Sequence, residues 1–389
     1  MKNICVITAT RAEYGLLYPL LKEIEEMKYL NLQLVVSGTH LKIEYGLTKE
    51  EIISDGFAEF DEIESLETQA NDNRAISETM ANVIFKFASY LTQKRPDIAV
   101  ILGDRYEMMA FTIALMNERI PIAHLNGGEV TSGILDEMYR HCITKMSTLH
   151  FVNCEVHRKR VIQLGELPER VFNVGDICVD NILNTKILSS SELEKDLDIK
   201  IQQASLVVVT FHPVTMENNS MEQLENMLSV IKEHNSYTYI FTKANSDSEG
   251  QNINRRIEEF VHNNLNCKFI DSLGRVKYLS LLNYAILVMG NSSSGIYEVP
   301  FFHIPTINIG NRQKDRLHGE TVIDCGSEID EIEHAFQKSI SKEFTDKCKK
   351  EENIFGDGHA AQKIVTIICK VLEKGISPEK SFYDVDFSV

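Results

Sequence analysis

Short apolar runs alternate with amphipathic stretches along almost the whole chain, and this alternation predicts most of its elements. Asn3 to Thr8 predicts a strand, Leu16 to Glu26 a helix, Leu32 to Ser37 a strand and Ile76 to Leu91 a helix. Ile98 to Leu102 predicts a strand closing on Gly103-Asp104-Arg105, followed by a helix over Glu107 to Asn117 and a strand over Ile122 to His124. These strands are continuous apolar runs, so both faces are buried, as in a parallel sheet covered by helices. A polar stretch from Asn184 to Gln203 holds Ser189-Ser190-Ser191-Glu192 ahead of a charged helical segment, and then the alternation restarts. Strands over Leu206 to Phe211, Tyr237 to Phe241, Lys268 to Ile270, Ala285 to Met289 and Thr306 to Asn308 are separated by helices. Those helices run over Met221 to Glu233, Ile253 to Asn263, Val276 to Asn283 and Gly295 to Val299. The predicted fold class is α/β, with two Rossmann-like, doubly wound domains facing a cleft lined by strand ends, where open sheets bind ligands. The expected division is a first domain over residues 1–185 and a second over 186–357. A helix and irregular tail over 358–389 are expected to pack back on the first domain.

The run Met289-Gly290-Asn291-Ser292-Ser293-Ser294-Gly295-Ile296-Tyr297-Glu298 ends a buried strand in small polar residues that open a helix. Backbone N–H groups, hydroxyls and the positive end of a helix dipole together bind phosphate. Glu298, about one turn further on, is placed to accept both hydroxyls of a ribose. The same run also fits an ordinary helix cap, in which the serines only satisfy orphan amides.

Composition narrows the partners. With 43% hydrophobic and 25% charged residues, the chain of 389 is a globular protein long enough for two domains. No opening stretch reads as a signal peptide and no apolar run approaches ~18 residues, so a cytoplasmic location without membrane contact is expected. The eight cysteines are scattered without a C-x-x-C pair, which argues against a metal site or a disulfide framework. A formal charge of −17 disfavours nucleic acid, which needs clustered cations; an anionic small ligand would need local ones, such as Arg11, Arg105, Arg140, Lys243, Arg312 and Arg316.

Polar residues collect where strands end. Arg11 and Glu13 follow the first strand, His40 the second, and Asp104 and Arg105 the next; Asn126 to Glu129 come after Ile122-Ala123-His124-Leu125. In the second half, His212 and the Lys243-Ala244-Asn245 segment take the same position. Each has a plain structural alternative. Asp104 fits a helix cap, His40 and His212 fit satisfied core histidines, and Glu129, Asp136 and Glu137 fit a solvated loop. Arg140 and His141 lie one turn after Asp136 and Glu137, close enough for a local ion pair.

Taken together, Ala9-Thr10-Arg11-Ala12-Glu13-Tyr14-Gly15, Gly38-Thr39-His40, Leu102-Gly103-Asp104-Arg105, Gly127-Gly128-Glu129 and Asp136-Glu137-Met138-Tyr139-Arg140-His141 form an ordered set of motifs. Phe211-His212-Pro213, Gly290 to Gly295, Asn311-Arg312-Gln313 and Gly356-Asp357-Gly358 extend it over nearly the whole chain. The set resembles the hydrolysing UDP-N-acetylglucosamine 2-epimerases of sialic-acid biosynthesis. That resemblance implies a glycosyltransferase-B-type fold, a homodimer or homotetramer, no cofactor, and conversion of the UDP-sugar to N-acetylmannosamine and UDP.

By motif, the resemblance implies that Arg11, Asn245, Ser292, Ser293, Glu298 and Arg312 hold UDP, with His40, Arg105, Glu137, Arg140 and Ser294 completing the substrate site. Asp104, Glu129, Asp136 and His212 fall in the acid/base motifs. Asp104 and Glu129 are assigned to the proton at carbon 2, Asp136 to hydration of the glycal, and His212 to the leaving diphosphate or sugar. Related enzymes often carry an acidic residue or histidine where this chain has Asn126, and the role is assigned to Glu129 instead. Three other readings are the same reaction on UDP- or GDP-N,N'-diacetylbacillosamine in legionaminic acid biosynthesis, glycosyl transfer on the shared fold, and a nucleotide-sugar sensor.

Overall fold

The computed structural model describes residues 1–66, 73–131, 135–201, 205–213, 219–244, 250–270 and 273–386. The chain forms two compact units, Met1–Asn181 with Phe355–Val389, and Ile182–Ile354.

In the first unit, β1 (Lys2–Thr8), α1 (Arg11–Glu26), β2 (Leu30–Ser37), α2 (Lys49–Ser54), β3 (Asp61–Ile63), α3 (Asn73–Leu91) and β4 (Ile98–Leu102) lead the chain. They are followed by α4 (Tyr106–Asn117), β5 (Ile122–Leu125), α5 (Asp136–Met146), β6 (Leu149–Val152), α6 (Glu155–Gln163) and β7 (Val171–Asn173), and then by α7 (Ile177–Leu183). Among the described residues the sheet order is β3-β2-β1-β4-β5-β6-β7, and its pairings are parallel. Neighbouring strand residues feed opposite cores: Ile4, Val6, Val100 and Leu102 pack with α1, whereas Cys5, Ile7, Ala99 and Ile101 pack with Phe87 of α3 and Phe111 of α4. Two-sided burial is why the strand sequences are uninterruptedly apolar.

The second unit repeats the plan with α8 (Ser190–Leu197), β8 (Leu206–Thr210), α9 (Ser220–Glu233), β9 (Thr238–Thr242), α10 (Gly250–His262), β10 (Cys267–Ile270) and α11 (Gly274–Tyr284). It continues through β11 (Leu287–Gly290), α12 (Ser294–Tyr297), β12 (Thr306–Ile309), β13 (Val322–Cys325), α13 (Ile329–Ile340) and α14 (Lys342–Cys348). Its parallel sheet has the order β10-β9-β8-β11-β12-β13. In both units the order reverses beside the first strand, between β1 and β4 and between β8 and β11. The crevice opposite the carboxyl ends at such a switch point is where doubly wound sheets bind ligands. α15 (Ala360–Lys374) belongs to the first unit, where Ile364, Val365 and Ile368 join the core beneath α1.

The start of α1 and the length of α12 differ from the sequence expectation for identifiable reasons. α1 begins at Arg11 rather than Leu16, because Thr10 and Glu13 form a reciprocal capping box. The helix expected over Gly295 to Val299 is a single α-turn, and a 3₁₀ turn over Val299–Phe302 replaces its continuation. Pro300, which has no N–H to donate, stands at the start of that turn.

Candidate active site

At the switch point of the first unit, Arg140 organises the charged residues. Its guanidinium is buried on α5 and donates to Asp104 Oδ2 through Nε at 2.9 Å and also through Nη2. Nη1 donates to the Glu129 carbonyl at 2.9 Å and to Glu137 Oε2 at 2.6 Å. Glu137 also accepts the Thr131 N–H at 2.7 Å and meets His141 Nε2 at 3.0 Å. Burial opposes its charge, but these partners together hold its carboxyl below the ordinary range. The helical pair foreseen one turn apart is therefore present, and Arg140 extends it to Asp104 on the neighbouring strand end.

Asp136, at the first position of α5, behaves differently. Burial, then the negative charge of Asp104, push its carboxyl up. A carboxyl pushed toward its protonated form beside a carboxylate paired with Arg140 suits an acid next to a base. Arg105, beside Asp104, makes a two-pronged contact with fully buried Glu107 at 3.1 and 2.8 Å. It also lies 3.8 Å from Glu13 Oε1, and burial pushes Glu13 up to about 7 against the Ala9 N–H and Arg105 that oppose it.

Glu129 is held from the other side of the loop. Asn153 Nδ2 donates to Glu129 Oε1 at 2.8 Å and to Asp176 Oδ2 at 2.9 Å, and His157 Nδ1 donates to Asn153 Oδ1 at 2.5 Å. Asn126 Nδ2 reaches the same Asp176 oxygen at 3.4 Å. Asn126 thus puts a neutral amide against a buried carboxylate. The loop comes close to α6: Gly128 has φ +83°, and a Cβ there would overlap the His157 carbonyl. Asn153, His157 and Asp176 gave no sequence signal, since only the folded loop brings them to Glu129.

Two of the expected ligands have protein partners in this structure. Buried His40 meets Thr8 Oγ1 through Nε2 at 3.0 Å and Thr48 Oγ1 through Nδ1 at 2.8 Å. Burial lowers its pKa to about 4, so it is a neutral, satisfied histidine. Arg11 pairs with Glu51 of α2 at 2.7 Å, with its side chain 63% exposed.

In the second unit the Gly-Asn-Ser-Ser-Ser turn is built around buried Asn291. Its side chain accepts the His212 N–H at 2.7 Å and donates to the His212 carbonyl at 2.8 Å, clamping two strand ends. Its own carbonyl accepts Arg312 Nη1 at 3.0 Å and Gln313 Nε2 at 2.8 Å. Gly290 has φ +131°, and a Cβ there would overlap the Thr210 carbonyl, so no other residue fits. Ser294 Oγ lies 2.6 Å from Tyr278 Oη, and Glu298 closes the single turn of α12. Ser292 and Ser294 open onto a pocket of about 350 Å³ lined also by Thr210, Thr242, Lys243 and Tyr278. Ser293 precedes α12 at its cap position, and Asn245 lies outside the described residues. The pocket's β9 and α11 walls were missed because Thr242, Leu273 and Tyr278 are ordinary residues until their elements are packed.

With this geometry in place, comparison with known proteins gives a consistent family. Residues 22–369 match the family model described as UDP-N-acetylglucosamine 2-epimerase. The chain is 40% identical to a GDP/UDP-N,N'-diacetylbacillosamine 2-epimerase (hydrolyzing) of Campylobacter jejuni over 387 residues, covering 99% of each. It is 34% identical to the polysialic acid biosynthesis protein P7 of Escherichia coli, covering 99% of this chain and 98% of the relative. A solved structure of the Neisseria meningitidis UDP-GlcNAc 2-epimerase bound to UDP-GlcNAc superposes with a TM-score of 0.76 at 19% identity, covering 95% of this chain and 100% of the other. That likeness agrees in fold, and the sequence match over nearly the full length places the chain in the UDP-N-acetylglucosamine 2-epimerase family.

Proposed function

We propose that the chain hydrolyses and epimerises a UDP-linked 2-acetamido sugar, with UDP-N-acetylglucosamine converted to N-acetylmannosamine and UDP. The observation that carries this reading is the Arg140-centred cluster, in which Asp104 is paired with a cation while Asp136 is pushed toward its protonated form. Carbon 2 of the sugar is a weak acid. A positioned carboxylate, assigned to Asp104 or Glu129, removes its proton as the bond from carbon 1 to the diphosphate oxygen breaks, leaving a glycal. Asp136 then serves the hydration step, in which water bonds carbon 1 and gives a proton to a carboxylate while a carboxyl delivers its proton to carbon 2 from the opposite face. UDP is assigned to the Asn291–Ser294 turn, Glu298 and Arg312, with His212 supporting the leaving group, and Arg11, Arg105 and Arg140 are assigned to the substrate. Because α12 is one turn long, stabilisation of the anion falls more on backbone N–H groups, hydroxyls and Arg312 than on a helix dipole.

The 40% identical Campylobacter relative favours a second reading, the same reaction on a nucleotide-linked 2,4-diacetamido sugar. Incubation with each nucleotide sugar alone, following free nucleotide and free sugar, tests both. Release of UDP and N-acetylmannosamine in deuterated water, with deuterium at carbon 2, is the expected result. Product without deuterium there excludes proton abstraction, and turnover only with an added acceptor points to glycosyl transfer.

A further inference from the structure

Beyond α15 the chain has no regular structure over residues 375–386, yet it is anchored in the first unit. Gly375 ends the helix with φ +81°, and Pro378 forbids its resumption. Lys380 then turns inward. Its Nζ donates to the carbonyls of Lys145 at 2.7 Å and Ser147 at 2.5 Å, with Thr144 at 3.4 Å. It also pairs with Glu166 Oε2 at 2.6 Å. Glu166 is only 1% exposed and takes Lys145 at 2.8 Å and fully buried His150 at 2.8 Å. The segment is fastened again nearby: the Tyr383 N–H donates to the Gly165 carbonyl at 3.0 Å, Arg170 donates to the Glu379 carbonyl at 3.1 Å, and the Phe382 ring covers Gly165 so closely that a Cβ there would overlap it.

The carbonyls Lys380 binds belong to the last turn of α5 and the residue that ends it, the negative pole of the helix whose first turns carry Asp136, Glu137 and Arg140. The same last turn reaches the strand ends through a buried relay. Thr144 Oγ1 donates to His124 Nδ1 at 3.1 Å, and His124 Nε2 donates to the Gly103 carbonyl at 2.8 Å, next to Asp104. The tautomer follows from the carbonyl, which can only accept.

We infer that residues 375–386 form a strap whose Lys380 is a positioning residue for the reaction, fixing the far end of α5 so that Asp136, Arg140 and, through Thr144 and His124, Asp104 keep their mutual placement. The inference rests on the functional reading above, in which those side chains handle the sugar. Lys380 touches neither that cluster nor the serine-rich turn, so it acts through α5.

The test compares the full chain with Lys380→Met, Lys380→Arg and Phe382→Ala. Two measurements are made on each, amide hydrogen exchange along α5 and steady-state kinetics on whichever nucleotide sugar the wild type turns over. Lys380→Met is expected to speed exchange in α5 and to lower kcat on the order of 10–100-fold with KM nearly unchanged, the signature of displaced groups rather than lost binding. Lys380→Arg should restore much of both, and Phe382→Ala, a change at an exposed ring that leaves the buried charges in place, should shift both less in the same direction. Unchanged α5 exchange in Lys380→Met overturns the strap. Faster exchange with unchanged kcat overturns its role in positioning. A wild type that turns over no nucleotide sugar refutes the functional reading instead, while the exchange comparison still decides whether the strap holds α5.

Discussion

Asp104 and Asp136 are the same residue type with different surroundings, and the difference is chemical. Arg140 takes one oxygen of Asp104 through two N–H groups, whereas burial and the Asp104 charge raise the proton affinity of Asp136. Replacing Asp104 with Asn keeps the shape but removes the charge that Arg140 pairs with and that the proposed abstraction at carbon 2 requires. Turnover of Asp104→Asn is expected to fall on the order of 10²–10⁴-fold, while UDP affinity, measured by calorimetry, stays within about threefold. Wild-type turnover in this variant sinks the assignment. Glu129 was legible as a candidate from its Gly-Gly neighbours, but its anchoring by Asn153 was not, because those residues meet only across the sheet edge. His40, whose position after a strand suggested a ligand, is buried between two hydroxyl partners that only the fold brings to it.

At the scale of elements, the serine-rich turn owes its shape to a side chain rather than to a helix. Asn291 substitutes its amide for a missing strand partner, closing both hydrogen bonds of the His212 backbone. Asn291→Ala removes the side-chain partner of that N–H and carbonyl, at a cost of about 1–3 kcal/mol each at most. The expected outcome is a lower unfolding midpoint for the second unit and weaker UDP binding, read by urea titration and calorimetry; tight UDP binding at wild-type affinity excludes this turn as the anchor. The sequence legibly marked the turn through its glycines and serines. It did not mark the length of α12, because Pro300 lies just beyond the apparent helix and its effect depends on where the turn begins.

For the whole molecule, protonation separates the two units. The first holds buried neutral imidazoles, with burial lowering His124 to about 3 and His40 and His157 to about 4, and lowering His150 as well. A folded pKa below the unfolded value of about 6.5 means the unfolded chain binds more protons once the pH drops under that value. The associated stability is therefore complete above about pH 6.5 and is lost as pH falls toward 4 and 3, by about 2 kcal/mol for each of His40, His124 and His157 at about pH 5. Glu166, which burial opposes but His150 and the two lysines hold at about 2, adds a further loss below its ordinary range. In the second unit His318 is shifted the other way by its bond to Asp324. Unfolding followed separately in the two units at about pH 7.5 and 5 should show the first losing more stability than the second. Equal losses contradict the buried-neutral assignment.

The sequence by itself determined two parallel α/β sheets, because continuous apolar strands are stable only when helices cover both faces. It also marked the strand ends where polar residues collect and the family motifs they resemble. Tertiary structure alone decided which polar groups meet: Arg140 with Asp104, Asn153 with Glu129 and Lys380 with the end of α5 join residues far apart in the chain. The physical reason is that periodicity is a local property of the backbone. The protonation and placement of a carboxylate are set instead by whatever the fold buries beside it.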